Sequence, residues 1–264
     1  MLRPRIIPCL LLQNGGLVKT QGFKDAKYVG DPINAVKIFN EKESDELIVL
    51  DIDATVQGRE PDFSLIAKLA AECRMPLCYG GGVTTAAQAS RIVDLGVEKV
   101  AVSAGAIANP ALLTEMADAV VRQSVVAVLD VRKKMGLFAK GYEVCSRNAT
   151  VAHKFDPNSL AKQLQDAGAG EIVVNSVDRD GLMQGYDLEL ASQFRLALRV
   201  PVTFLGGAGS LDHVAQLVSK LGVVGAAAGS LFVFKGKYRA VLINYPTPAQ
   251  KTELCRDALK NQII

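Results

Sequence analysis

Residues 46–53 read Glu46-Leu-Ile-Val-Leu-Asp-Ile-Asp53, and residues 171–178 read Glu171-Ile-Val-Val-Asn-Ser-Val-Asp178. Each opens on an acid, runs through a short β-type apolar stretch and ends on a carboxylate. The two stretches lie 125 residues apart. Gly81-Gly82 and Gly206-Gly207 repeat at the same spacing, and Leu95-Gly96 and Leu221-Gly222 at 126. Motifs that share a spacing predict two copies of one half, four strand–helix units in each.

Outward from this pair, apolar β-type runs alternate with helix-like segments along the chain. The strands fall at Arg5–Leu11, Glu46–Ile52, Pro76–Tyr79, Lys99–Ser103, Val125–Asp130, Glu171–Ser176, Val202–Leu205 and Ala226–Gly229. Helices begin near Pro32, Asp62, Thr85, Asn109, Pro157, Asp187, Leu211 and Pro248. Asp31, Asn109 and Asp156 each precede a Pro, which places a cap residue ahead of a first-turn proline. Eight alternations, with no G-x-G-x-x-G after the first strand, predict an α/β fold, a (β/α)8 TIM barrel with a two-fold internal half-barrel repeat, rather than an open doubly wound sheet. No linker divides the chain, so residues 1–264 are expected to form one barrel domain. The two longest non-periodic stretches, Leu12–Gly30 and Val131–Phe155, read as loops at the C-terminal face, where such barrels build their sites.

Composition fits this architecture. The chain has 264 residues, 49% hydrophobic and 22% charged, with 23 Gly and no Trp. The net charge of +3 is too mild to argue for nucleic acid or a membrane surface as partner. No stretch is apolar for the roughly 18 residues of a span, and no cleavage-site pattern follows Ile6–Leu12, so a cytoplasmic location is expected. The five cysteines, Cys9, Cys73, Cys78, Cys145 and Cys255, are scattered. They read as reduced core fillers, with no metal site among them. No cofactor is expected.

Two Gly-rich turns follow strands three and seven, Tyr79-Gly-Gly-Gly-Val83 and Gly206-Gly-Ala-Gly209. Strand four ends at Ser103-Ala-Gly105, and strand eight at Ala228-Gly229-Ser230. Gly81 and Gly82 with Ser103, and Gly206, Gly207 and Gly209 with Gly229 and Ser230, therefore form two candidate phosphate cradles. Tight turns alone are the plainer alternative. Carboxylates collect at strand ends: Asp51 and Asp53, Asp130, and Asp178 and Asp180. Asp130 closes the apolar run Val125–Leu129 and is the candidate catalytic residue, because an unpaired carboxylate there is costly. Asp178 and Asp180 flank Arg179 and read equally as loop structure. Arg5, Glu46, Lys99 and Glu171 stand at strand starts, a neutral ring at the barrel bottom that reads as paired charges or as a gate.

The stretches Arg5-Ile-Ile-Pro-Cys-Leu10, Leu50-Asp-Ile52, Gly80-Gly-Gly-Val83, Gly170-Glu-Ile172, Asp178-Arg-Asp-Gly181, Gly185-Tyr-Asp-Leu188 and Gly206-Gly-Ala-Gly209 resemble the cyclase subunit of imidazole glycerol phosphate synthase over almost the whole chain. The resemblance implies a barrel that receives ammonia from a glutaminase subunit docked at its bottom. Arg5, Glu46, Lys99 and Glu171 occupy the positions of the ammonia gate, and Glu98 that of an acidic docking residue. Lys19, Asp51, Asn175, Asp180 and Gly181 belong with the mouth. The family's synthase chemistry uses two aspartates, of which Asp130 is present. The other position is Leu11, in Cys9-Leu-Leu-Leu12, and leucine transfers no proton. Either Asp51, Asp53 or Asp180 substitutes, or the cyclisation is badly impaired. The strand-five loop also departs, reading Ser146-Arg-Asn-Ala-Thr-Val-Ala-His-Lys154.

A kept conduit with a broken acid–base pair resembles the divergent paralogues of bacterial surface-sugar clusters. Their role implies an ammonia-channelling barrel working with a glutaminase and a sugar amidotransferase in acetamidino modification of lipopolysaccharide, and binding a phosphorylated small molecule. The histidine-pathway cyclase is the alternative.

Overall fold

In the computed structural model, which describes residues 3–136 and 139–260, eight parallel strands pair side by side and close on themselves. They are β1 (Arg5–Gln13), β2 (Leu47–Asp51), β3 (Leu77–Gly80), β4 (Lys99–Val102), β5 (Val125–Lys133), β6 (Glu171–Ser176), β7 (Val202–Leu205) and β8 (Gly225–Ala228). Closure runs from β8 back to β1, with Arg5 opposite Gly225 and Pro8 opposite Ala228. The helices that follow the strands are α1 (Pro32–Glu41), α2 (Phe63–Glu72), α3 (Ala86–Asp94), α4 (Ala111–Val120), α5 (Pro157–Asp166), α6 (Leu188–Ala197), α7 (Leu211–Leu221) and α8 (Pro248–Lys260). This is the (β/α)8 barrel that the sequence predicts. Among the described residues, no helix is long and apolar enough to cross a membrane.

Side-chain alternation explains the layering. On β1, Ile6, Leu10 and Leu12 pack outward into the shell between strands and helices. Ile7 and Cys9 point inward, where they meet Ile48, Cys78, Ala101, Val126, Val128, Val173, Leu205 and Ala227. The caps form largely as expected. Asp31 accepts the Asn34 N–H at 2.9 Å and Asp156 the Ser159 N–H at 2.8 Å. Asn109 accepts from Ala111 at 3.2 Å, one residue beyond its proline.

The repeat is visible in the backbone. A Cβ on Gly81, where φ is +121°, would lie 2.4 Å from the Asp51 carbonyl oxygen. A Cβ on Gly206, where φ is +98°, would lie 2.5 Å from the Ser176 carbonyl oxygen. Asp51 and Ser176 are the sixth residues of the two stretches 46–53 and 171–178. Equivalent glycines are thus demanded by the same close approach in both halves.

The two long stretches expected to be loops are hairpins. β1 continues through a turn at Asn14 and Gly15, with φ of +50° and +77°, into an antiparallel pair, Gly16–Gln21 and Lys24–Gly30. Two consecutive positive φ values favour Asn-Gly. β5 continues likewise into Tyr142–Ser146, with Asp130 opposite Cys145, and Val151–His153 follows.

Candidate functional site

The four predicted ring residues meet at the bottom of the barrel. The Arg5 guanidinium bonds Glu46 and donates to Glu171 Oε1 at 2.7 Å. Lys99 Nζ donates to Glu46 Oε1 and Glu171 Oε2, each at 2.8 Å. Every cation therefore touches both acids, and the ring is shut. Thr203 is a fifth member that the sequence reading passed over, its hydroxyl donating to Glu171 Oε1 at 2.5 Å. It is the second residue of the strand Val202–Leu205, in phase with the inward-facing Leu205. Burial alone would raise the Glu171 carboxyl, but Arg5 and Lys99 outweigh it and hold the group below its ordinary range. Burial opposes the charge on Lys99 too, yet Glu171 and Glu46 raise its pKa. Glu98, beside the ring, uses one oxygen to accept the Leu77 N–H at 2.7 Å.

Above the ring the interior is apolar and lined partly by small side chains, among them Cys9, Cys78, Ala101 and Ala227. Burial pushes the Cys9 thiol up to about 11 and Cys78 well above its usual value, so both act as small hydrophobes. Such an apolar layer offers an ion no hydrogen-bond partner.

The interior opens into a mouth lined by Leu11, Lys19, Asp51, Gly81, Gly82, Ser103, Asp130, Asn175, Asp180, Gly181, Gly206, Gly207, Gly229 and Ser230. β3 neighbours β4 and β7 neighbours β8, which puts the two glycine cradles on opposite sides of one opening. The short helices behind them, Ala104–Ala108 and Ser230–Val233, begin at Ser103 and Gly229 without a side-chain cap. A Cβ on Gly207 would lie 2.1 Å from the Gly185 carbonyl oxygen, and one on Gly209 2.4 Å from that of Met183. These glycines are thus already required by backbone packing. Gly209 does not line the mouth directly; its N–H donates to His213 Nδ1 at 3.1 Å. At Gly229 a Cβ would meet the Lys19 Nζ at 2.2 Å, so the lysine side chain would have to shift to make room. Lys19 reaches from the first hairpin to donate to the Cys9 carbonyl at 2.6 Å, and burial lowers its pKa.

The carboxylates at the strand ends separate by occupation. Asp51 Oδ1 accepts the N–H groups of Asp53 and Ala54, both at 3.0 Å. Asp53 accepts from the Gln13 amide at 3.2 Å and the Asn14 N–H at 3.1 Å. Asp178 accepts the Lys133 N–H at 2.7 Å. Asp180 accepts from the Thr20 hydroxyl at 2.7 Å and the Phe23 N–H at 3.2 Å, and so ties down the first hairpin. Gly181 lies under the same hairpin, since a Cβ there would meet the Thr20 carbonyl oxygen at 2.1 Å.

Asp130 is different. Its Oδ1 accepts from the Asn175 amide at 3.0 Å. Burial pushes its pKa up to about 7, with Asn175 opposing and Asp180 adding to the shift. It can gain and lose a proton near neutrality. A carboxyl titration followed by carbon NMR is expected to show its midpoint near 7, moving higher in Asn175→Leu, where the opposing hydrogen bond is gone. A midpoint near the ordinary 3.8 would overturn this. Because the folded pKa is raised, the ionisation of Asp130 costs stability as pH rises from 3.8 through about 7.

The mouth also contains residues the sequence reading did not single out. Arg147, Asn148 and Ala149 all take positive φ, between +52° and +58°, at the tip of the second hairpin. Asn148 donates across to the Ile52 carbonyl at 3.0 Å, and Arg147 and Asn148 line the opening.

The histidine biosynthesis protein family is matched over residues 5–239. A Vibrio vulnificus protein provisionally named imidazole glycerol phosphate synthase subunit hisF3 is 56% identical over 251 residues, covering 95% of this chain and 96% of its own. A Pseudomonas aeruginosa protein, provisionally subunit hisF2, is 51% identical over 93% of this chain and 97% of its own. The imidazole glycerol phosphate synthase subunit HisF of Vibrio cholerae is 37% identical over 88% and 91%.

Proposed function

This chain belongs to the histidine biosynthesis protein family as a HisF-like barrel, and from that premise we propose that it is the ammonia-conducting subunit of a glutamine amidotransferase complex serving acetamidino modification of a surface sugar. One observation carries the proposal: the closed ring at the bottom coexists with Leu11 at the mouth, where the family resemblance implies an aspartate. Asp51, Asp53 and Asp180 are each held by hairpin or turn hydrogen bonds, so none of them is free to replace it. The drop in identity from 56% and 51% to 37% supports a branch apart from the subunit named HisF without qualification.

A glutaminase docks at the bottom and releases ammonia against the ring. Lys99 and Arg5 leave their carboxylates enough for neutral ammonia to pass, while ammonium is repelled by the cations and by the apolar lining above. At the mouth Asp130 accepts or returns a proton, and the glycine cradles take the phosphates of a phosphorylated ligand. A sugar amidotransferase consumes the ammonia.

The histidine-pathway cyclase remains as the second reading, favoured by the match to Vibrio cholerae HisF and by Asp130. Expression in a histidine auxotroph lacking its own cyclase separates the two. No growth is expected without histidine; robust growth would sink the sugar reading. Affinity purification from the native cell is expected to bring down a glutaminase and a sugar amidotransferase.

A further inference from the structure

The ring is not held evenly. Lys99 is paired with Cys78 in the β3–β4 ladder, and Glu171 with Val126 in the β5–β6 ladder. Arg5 is paired with Gly225 on β8. Glu46 lies outside every ladder, because β2 pairs with β3 only from Leu47 and with β1 only from Ile48.

Side chains from the end of the chain replace the missing ladder. Asp45, covalently next to Glu46, accepts the N–H of Ile6, next to Arg5, through Oδ2 at 2.9 Å. The Tyr245 hydroxyl accepts the Asp45 N–H at 3.1 Å and donates to the Ile6 carbonyl at 2.7 Å. Lys251, in the first turn of α8, donates to Asp45 Oδ1 at 2.8 Å and to the Glu43 carbonyl at 2.7 Å. Its Nζ also sits 5.1 Å from the Tyr245 ring centre. Tyr245 is fixed in turn against Phe39 and Phe232. The side chains of Asp45 and Lys251 are nearly closed to solvent and Tyr245 is buried, so these bonds replace water and are costly to lose.

We propose that Asp45, Tyr245 and Lys251 are positioning residues of the ring, through which the C-terminal segment sets where Glu46 stands against Arg5 and Lys99. The proposal rests on the conduit reading for its functional meaning. Geometrically, Arg5, Lys99 and Glu171 are held by the sheet and Glu46 by this clamp. A displacement of α8 moves Glu46 and leaves Glu171 in place.

The test uses the full chain and hydrogen exchange of the Lys99 ammonium protons by nitrogen NMR, since Lys99 Nζ touches Glu46 directly. Tyr245→Phe and Lys251→Met are each expected to speed that exchange about fivefold, the equivalent of one lost net hydrogen bond. Lys251→Arg, which restores the charge, is expected to stay near the wild type. Tyr186→Phe is the control for general loosening, because Tyr186 donates to the Ala227 carbonyl at 2.9 Å in a buried site away from Glu46. Unchanged exchange in the first two variants, or an equal rise in the control, overturns the clamp. The same variants, assembled with the glutaminase and fed labelled glutamine, test the conduit separately. A loosened ring without any rise in escaped ammonia counts against the conduit and leaves the clamp standing.

Discussion

Replacing Glu171 by Ala lowers the unfolding free energy by about 3–5 kcal/mol at neutral pH. Glu171 is 4% exposed and is bonded by Arg5, Lys99 and Thr203 together. Its removal leaves two cations facing one remaining acid, Glu46, and takes away the acceptor of the Thr203 hydroxyl proton. Arg5 and Lys99 keep 27% and 18% of their side-chain surface in water, so part of their charge can be resolvated, which favours the lower end of that range. The pH dependence has a defined sign. The Glu171 carboxyl is held below its ordinary 4.5, so its contribution is complete above 4.5 and is lost as pH falls through the lower folded value. Lys99 is raised above its ordinary 10.5, so its contribution is complete below 10.5 and is lost as pH rises through the higher folded value. The gap between wild type and variant should therefore be flat from about pH 5 to about pH 10 and narrow on both sides. Urea unfolding at a series of pH values measures it. A gap below about 1 kcal/mol would mean that the ring contributes no more than an exposed ion pair.

The ring was legible because strands have a period of two. Arg5, Ile7 and Cys9 must face one way, and acids or bases at four strand starts in a closed barrel have only the axis to meet on. The matched glycine turns were legible through their spacing, since a duplicated half repeats its close approaches along with its sequence. The hairpins were not. The strand Lys24–Gly30 is exposed over most of its length, so it carries no apolar alternation for a sequence reading to find. The clamp was invisible for a different reason. Tyr245 and Ile6 are 239 residues apart, and nothing local in either says that the hydroxyl replaces a rung of the sheet. The carboxylates show a third limit. Asp51 ends β2 and Asp130 closes the apolar run of β5, and only the hydrogen bonds of the folded chain tell the turn-forming Asp51 from Asp130.

Leu11→Asp is expected to raise ammonia-dependent cyclase turnover by on the order of a hundredfold or more, the range supplied by one positioned acid or base. Leu11 lies on β1 and Asp130 on β5, half the barrel apart, and both line the mouth. A carboxyl at position 11 would complete a pair across the opening, with Asp130 already poised near 7. Two effects oppose the gain. The new group loses the apolar contact that Leu11 makes with the interior cluster, a cost of about 2 kcal/mol. A second negative charge also drives Asp130 further up, so one of the two is protonated at neutrality. That division suits the chemistry, because cyclisation needs one group to take a proton while the other gives one. The measurement is single-turnover cyclase activity with ammonium salt as nitrogen source, beside an Asp130→Asn/Leu11→Asp double variant that should fall back to the level of the parent. If Leu11→Asp gains nothing, the lesion extends beyond position 11. The second hairpin is then its seat, where Arg147, Asn148 and Ala149 hold three left-handed residues in a row over the mouth.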